Sequence, residues 1–290
     1  MSREVTSLNF RSRSTRPAGI PRDPATNSRL APAVESARLR VAVLASGSKG
    51  NAALIEFGDT SILLDCGLGV AQLKKRLSLI GRSPTDITAM LVTHEHGDHC
   101  AGAAAVSSRF GLPVWMTPGT AEALNGKQFA RTVRFNCHAN IQIGELVIEP
   151  IPVPHDAREP CQFLFRAHDR RVAWLTDLGH VSAHVARVAA GCNGLLLEFN
   201  HDPDMLKNGP YPAFLRRRVA GPYGHLSNAQ SGELLRQIDC SRLDALVALH
   251  LSEVNNCSDR VRAVIDESLA GSRTQVEVAS QHDVLRWLEF

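Results

Sequence analysis

Short apolar runs separated by Gly and polar turns begin at "LRVAVLA" (residues 39–45) and continue to the end of the chain. Runs of this length, rich in Val, Ile and Leu, predict strands at 39–45, 52–57, 60–65, 88–93, 113–116, 145–153, 161–166, 171–176, 193–198, 245–250 and 275–279. Apolar positions at helical spacing predict helices over 70–80, 180–190, 228–238 and 258–270. Strands come first in hairpin-like succession and then alternate with helices in each half of the chain. That order predicts an α+β fold in which two mixed sheets pack together with helices outside.

Residues 1–38 break the pattern: they are rich in Ser, Arg and Pro and carry no apolar periodicity. Such a composition buries too little to order itself, so a disordered extension is expected before a single domain at 39–290. The apolar core of a secretory signal is missing, and no apolar run approaches the roughly 18 residues needed to cross a bilayer. A cytoplasmic protein without a membrane span is expected. The seven cysteines are scattered, with no CxxC spacing, which reads as reduced thiols. Cys66 and Cys100 adjoin motif residues described below, which leaves a metal-touching thiol open.

The net charge of +3 conceals an asymmetry: residues 1–40 hold eight Arg and three acidic residues, whereas 41–290 hold 24 basic and 26 acidic ones. The folded part therefore has no overall field to attract a polyanion. An anionic substrate must be held by local groups or bound cations.

The stretch "LVTHEHGDHC" (91–100) places three histidines and an aspartate directly after an apolar run. Burying such groups without partners costs kilocalories each, and a bound metal offsets that cost. His94, His96, Asp98 and His99 offer imidazole and carboxylate donors suited to Zn²⁺, Mn²⁺ or Fe²⁺, and Gly97 is expected to bend the loop so that they converge. Four donors on one short loop cannot all face one ion, so two ions are the natural reading. The remaining donors should lie at other strand ends, and His155 of "IPVPHDA", Asp177 of "VAWLTDLGH" and His250 of "ALVALHLSE" occupy such positions. A carboxylate such as Asp177 can bridge two cations in the clamp used for phosphoester hydrolysis.

"THEHGDH", with "LLDCG" upstream and "TDLG" downstream, resembles the metallo-β-lactamase superfamily over nearly all of residues 40–290. The resemblance implies an αββα sandwich with metals along one edge. It further implies that His94, His96 and His155 hold one ion, that Asp98, His99 and His250 hold the other, and that Asp177 bridges them. Asp65 of "LLDCG" resembles the family's buried aspartate that orients the metal loop. "SGSKGN" (46–51), "VPHDA", "LLLEFNHD" (195–202), "GHLSN" (224–228) and "HLSEVNN" together resemble most the YycJ/WalJ group of nucleases, related to RNase Z and PhnP-like phosphodiesterases. That resemblance implies a DNA exonuclease more than an RNA enzyme, with a metal-bound hydroxide attacking phosphorus. His225 would then protonate the leaving oxygen, with Asp98 and Glu198 the other candidate catalytic groups. A non-ligand imidazole suits that task on chemical grounds alone, and Glu198 is placed to orient it.

Weaker signals surround this set. "SGSKGN" lacks P-loop spacing and precedes a strand, so it reads as a turn whose amides and side chains, from Ser48, Lys49 and Asn51, touch a substrate phosphate. His201 is a further candidate substrate contact, with Asn255 and Asn256 beside it as cleft residues. "LRRRV" (215–219) is a basic patch that suits a nucleic-acid backbone or a solvated helix face equally well. His180 and His184 imitate a metal helix at i, i+4 but lack the glutamate of HExxH. Two other readings stay open: a hydrolase of small esters or cyclic phosphodiesters, and a non-catalytic binding module stabilised by metal.

Overall fold

In the computed structural model, which describes residues 37–290, the apolar runs pair into two seven-stranded sheets. The first sheet contains β1 (Arg40–Ala45), β2 (Ala52–Phe57), β3 (Thr60–Leu64), β4 (Ala89–Leu91), β5 (Pro113–Met116) and β6 (Arg131–Arg134) in that order. The second runs through β7 (Ile141–Ile143), β8 (Leu146–Pro152), β9 (Cys161–Ala167), β10 (Arg170–Leu175), β11 (Gly194–Glu198), β12 (Ala245–Leu249) and β13 (Gln275–Val278). β14 (Leu285–Glu289) returns to the first sheet beside β1. Each sheet opens with antiparallel pairs and continues with parallel ones, the latter connected through helices. The expectation of disorder for residues 1–38 falls almost wholly outside the described residues.

Both faces of the central strands are covered, which is why they read as continuous apolar runs. Val41, Val43, Ala53, Ile55, Ile62 and Leu64 point between the sheets, where they meet Phe163, Phe165, Leu196, Val247 and Leu249. Their alternates Ala42, Leu44, Leu54 and Leu63 face outward onto Leu73 and Leu77 of α1 (Val70–Ser78) and Ala103 and Val106 of α3 (Ala103–Phe110). On the far side, Leu195, Leu197, Leu246 and Ala248 pack against α5 (Ala183–Ala189), α8 (Asn228–Gln237) and α9 (Ser258–Ser268) through Val185, Leu234, Leu235, Val261 and Ile265. Three apolar layers thus separate helix, sheet, sheet and helix, the αββα order.

Elements without a clean apolar signature are absent from the sequence reading: β6, whose residues are mostly exposed, the three-residue β7, and β14. So are α2 (Gly97–Cys100), α3, α4 (Pro118–Ala123), α6 (Pro203–Asn208) and α7 (Ala213–Val219), the last of which buries none of its residues. α5 starts only after Ser182, whose side chain caps it, so His180 lies outside the helix and does not share a helical face with His184. His180 Nδ1 instead lies 3.0 Å from the Pro222 carbonyl.

One charged group interrupts the outer face of the first sheet. Glu56 on β2 is 5% exposed and accepts from Arg40 Nη2, Arg82 Nε and Arg82 Nη2 at 2.6, 2.8 and 2.9 Å, and from Ser61 Oγ at 3.1 Å. Arg40 also stacks over Trp287 of β14, 4.4 Å from the ring centroid, so the cluster ties three strands together. Glu56→Gln removes the charge and strands two guanidinium groups. A loss of about 2–3 kcal/mol is expected in thermal denaturation, the low side for a broken buried pair because both arginines keep contact with water. A loss below about 1 kcal/mol would show that the cluster does not hold these strands.

Candidate metal centre

Strand ends from both sheets meet at one edge of the sandwich, and each contributes a polar side chain there. Asp65 follows β3, His94 follows β4 after Val92 and Thr93, Asp177 follows β10 and His250 follows β12. Asp65, Asp177 and His250 have φ of 56°, 56° and 58°, the left-handed region that non-glycine residues seldom occupy. Such backbone costs about 1–3 kcal/mol per residue and persists where the surroundings over-determine it, typically at functional sites. Three of the four non-glycine residues with positive φ among the described residues belong to this one edge.

The 94–99 segment does not turn as expected at Gly97. That glycine has an ordinary φ, and a Cβ there would meet nothing within 4 Å. The bend comes instead from α2, a single turn that projects Asp98 and His99 back toward His94. Its carbonyls are held by the 65–69 loop and by Asn51: Asn51 N donates to Asp98 O at 2.7 Å and Cys66 N to His99 O at 2.7 Å. Gly67 is required by this contact, since a Cβ there would lie 1.9 Å from Asp98 O.

The side chains gather into overlapping groups. His94, His96 and His155 each offer a ring nitrogen, and all three lie within 4.8 Å of one another; Asp98, His99 and His250 form a second such group, and His94, His99 and Asp177 a third. Asp177 sits between them, with Oδ2 3.3 Å from His99 Nε2 and Oδ1 3.9 Å from His155 Nε2 and 3.5 Å from His250 Nδ1. Around this point the second-sphere bonds fix ring orientation. Asp65 Oδ2 lies 2.8 Å from His99 Nδ1, while its Oδ1 accepts from Thr93 N at 2.9 Å. Thr93 Oγ1 lies 3.0 Å from His94 Nδ1, and the Gly224 carbonyl lies 3.0 Å from His155 Nδ1. Each of these three rings is thereby left with Nε2 turned toward the common centre.

Does this edge suit metal ions? His94 Nε2 is buried without a hydrogen-bond partner, and Asp177 Oδ2 is likewise unpartnered, its approach to His99 lacking hydrogen-bond geometry. The His94 ring centroid lies 4.2, 4.6 and 5.0 Å from those of His99, His96 and His155, too close for several positive rings to coexist. The donor set, imidazole and carboxylate without thiolate, fits divalent first-row ions. The thiols stand aside: burial pushes Cys66 up to about 12 and Cys100 up to about 11, and they donate to the Leu68 and Glu95 carbonyls.

The electrostatics lead to the same conclusion. Burial, reinforced by the charge of His99, holds the His94 imidazole well below its ordinary value, and burial lowers His155 too. Burial opposes protonation of His99 and His250 as well, yet Asp177, Asp98, Asp65 and Glu198 outweigh it, lifting His99 well above the ordinary range and His250 to about 10. In return, and against burial, those rings hold the Asp98 and Asp177 carboxyls well below the usual range. Protons on His99 and His250 balance the carboxylate charge, and cations among the same atoms balance it equally while releasing those protons.

Glu198, at the end of β11 and fully buried, accepts at Oε1 from His225 at 2.9 Å and from His250 at 3.0 Å, both through Nδ1. Its Oε2 accepts from Leu178 N and Leu226 N, each at 3.0 Å. Burial raises this carboxyl, but the two imidazoles prevail and bring it down to about 2. His225 is 21% exposed and packs 5.2 Å, centroid to centroid, from both His155 and His250.

The expected substrate contacts differ in exposure and in their partners. Ser48 and Lys49 are exposed, but the Lys49 ammonium pairs with Glu253 at 2.6 Å and its amide donates to Gln281 Oε1 at 2.8 Å. The Gly47 amide donates to Asn51 Oδ1 at 2.9 Å. The Gly47 and Lys49 amides of the turn are thus engaged within the protein, while Ser48 stays exposed beside them. Asn51 is buried, and its Nδ2 lies 3.2 Å from both Asp98 Oδ2 and His99 Nε2, so it braces the 94–99 loop. Asn256 is locked in an amide pair with Asn228. His201 is buried away from the ligand groups, on the wall of a neighbouring cavity, with its Nδ1 unpartnered; burial brings its imidazole down to about 4.

Sequence reasoning missed three supporting residues. Ser46 Oγ accepts from His250 N at 2.8 Å, Thr93 links Asp65 to His94, and Asp156 lies 3.6 Å from His155 Nε2 while accepting from Arg218 Nε at 2.6 Å. Of these, only Asp156 could have been suspected, from its place beside His155.

Comparison with known proteins gives this edge a lineage. Residues 60–250 match the β-lactamase superfamily domain. The chain is 31% identical over 237 residues to exodeoxyribonuclease WalJ of Streptococcus pneumoniae, covering 80% of this chain and 88% of that protein. Exodeoxyribonuclease YycJ of Bacillus anthracis is 29% identical over 235 residues, covering 80% and 89%. Among solved structures, the metallo-β-lactamase fold protein YhfI of Bacillus subtilis superposes with a TM-score of 0.67 at 18% identity, covering 87% of this chain and 100% of that one. The chain therefore belongs to the β-lactamase superfamily, as a hydrolase of metallo-β-lactamase fold within the WalJ and YycJ group.

Proposed function

We propose that the protein is a dinuclear metal-dependent phosphodiesterase, a DNA exonuclease that removes nucleotides from chain ends. The observation that carries the reading is the shared Glu198 oxygen, which fixes a solvent-reachable His225 beside two three-residue donor groups that meet at Asp177. A structural metal site would need no such additional imidazole. The preference for DNA rests on the two relatives named as exodeoxyribonucleases.

In this reading His94, His96 and His155 would hold one ion and Asp98, His99 and His250 the other, with Asp177 a donor shared by both. Bound Zn²⁺ or Mn²⁺ would supply Lewis acidity toward phosphate oxygens and lower the pKa of water. The chain's own contribution is proton transfer and orientation. Glu198 accepts from His225 Nδ1, so Nε2 is the ring atom that gives a proton to the departing alkoxide. The four hydrogen bonds to the Glu198 carboxylate keep it from rotating, so the imidazole is held in one tautomer and one direction.

Purified protein is expected to carry two Zn²⁺ or Mn²⁺ per chain by elemental analysis and to shorten end-labelled DNA. Asp177→Asn, folded by circular dichroism, is expected to bind fewer ions and lose hydrolysis. Full occupancy and full activity in that variant would remove Asp177 from between the two ions.

The role of His225 has a separate signature in the leaving group. His225→Ala is expected to slow cleavage of DNA by about 10²–10⁴-fold with metal content unchanged. Bis-p-nitrophenyl phosphate, whose leaving group departs without a proton, should be affected far less. Equal losses on both substrates would rule out leaving-group protonation.

A further inference from the structure

Beside the metal edge lies a cavity of about 480 Å³ that none of the donor groups lines. It is within the size range of small-molecule sites. Its walls are Pro203 and Leu206 from α6, Ala213 from the start of α7 and Ala220 from its end. Lys207, Arg216 and Arg217 complete these walls. Ser227, Gln230 and His201 supply the hydrogen-bonding groups, and His201 Nδ1 is buried with no partner.

The cavity is joined to the site through the backbone. His201 forms a parallel bridge with Ser227, and Ser227 is two residues beyond His225. The Asn200 side chain donates to the His250 carbonyl at 3.0 Å. At the other end of α7, His225 N donates to Val219 O at 2.9 Å and Arg218 reaches Asp156 beside His155. α7 is therefore a rim with the metal edge on one side and the cavity on the other.

Apart from Arg218, the cations around this rim are not neutralised internally. No carboxylate pairs with Lys207, Arg216 or Arg217 among the described residues, although Arg216 Nη1 donates to the Lys207 carbonyl at 2.8 Å. Phe214 and Tyr223 on the same rim are 68% and 60% exposed, two of the four large apolar or aromatic side chains left open to solvent among the described residues. Unpaired cations interleaved with exposed aromatics suit a single nucleic-acid strand, with phosphates on the cations and bases on the rings. A cavity with apolar walls and a few hydrogen-bonding groups suits one base removed from the stack.

We propose that this cavity is a nucleotide subsite: it takes the unpaired base next to the scissile bond, with the flanking phosphates on Lys207, Arg216 and Arg217. The inference rests on the phosphodiesterase reading and adds a substrate class, a single-stranded or frayed end, because a paired base cannot enter.

Ala213→Trp fills the cavity, Arg217→Ala removes one cation, and neither touches the metal edge. Binding of 2′-deoxyadenosine 5′-monophosphate to metal-loaded protein, measured by calorimetry, is expected to weaken about tenfold or more in Ala213→Trp, while binding of inorganic phosphate is unchanged. Cleavage of a single-stranded oligonucleotide should lose kcat/KM in both variants through KM, with bis-p-nitrophenyl phosphate turned over as in the unmodified protein. Undiminished nucleotide binding in Ala213→Trp, or no measurable nucleotide binding in the unmodified protein, would overturn the subsite. Failure of the unmodified protein to cleave either diester would instead overturn the phosphodiesterase reading, while the calorimetric arm still decides the cavity.

Discussion

Negative charge taken out of water is the constraint around which this molecule is arranged. Asp65, Asp177 and Glu198 are almost fully buried at one edge of the sandwich, with Asp98 alongside. Isolated carboxylates in such surroundings would neutralise themselves or unfold the region. Here each is answered by imidazoles, and Asp65 and Glu198 also by backbone amides, and the answer requires the side chains to come from both sheets. The apolar layer between the sheets therefore does more than exclude water: it sets the register in which β3, β4, β10, β11 and β12 end together.

Much of this was legible from the residues themselves. A cluster of histidines after an apolar run has no packing rationale, and three further polar residues at predicted strand ends, His155, Asp177 and His250, fall where the structure brings strands together. The continuous apolar runs of β1, β2, β11 and β12 signalled strands covered on both faces. What could not be read were elements whose formation depends on their neighbours. α7 buries nothing, so no apolar stripe marks it, and β6 and β7 exist only as additions to edges already built.

Side-chain roles were legible only where the chemistry was unusual. The sequence pairs Asn51 with a Gly-rich turn, which invites a ligand-facing role, yet the structure spends its amide on Asp98 and its carbonyl oxygen on Gly47. Lys49 is likewise committed to Glu253. The pairings with Asp98 and Glu253 are long-range, and no local pattern encodes them. Gly97 misled for a related reason: its flexibility was available, but a one-turn helix achieves the same reversal with ordinary dihedrals.

Glu198 Oε1 receives two rings at once, from His225 and from His250. Any event that draws electron density from one ring changes how strongly the same oxygen holds the other, and thermodynamic linkage makes the influence mutual. Occupancy at the His250 side and proton affinity at the His225 side are thus two readings of one acceptor. A chain built this way cannot adjust either property by itself without moving its companion.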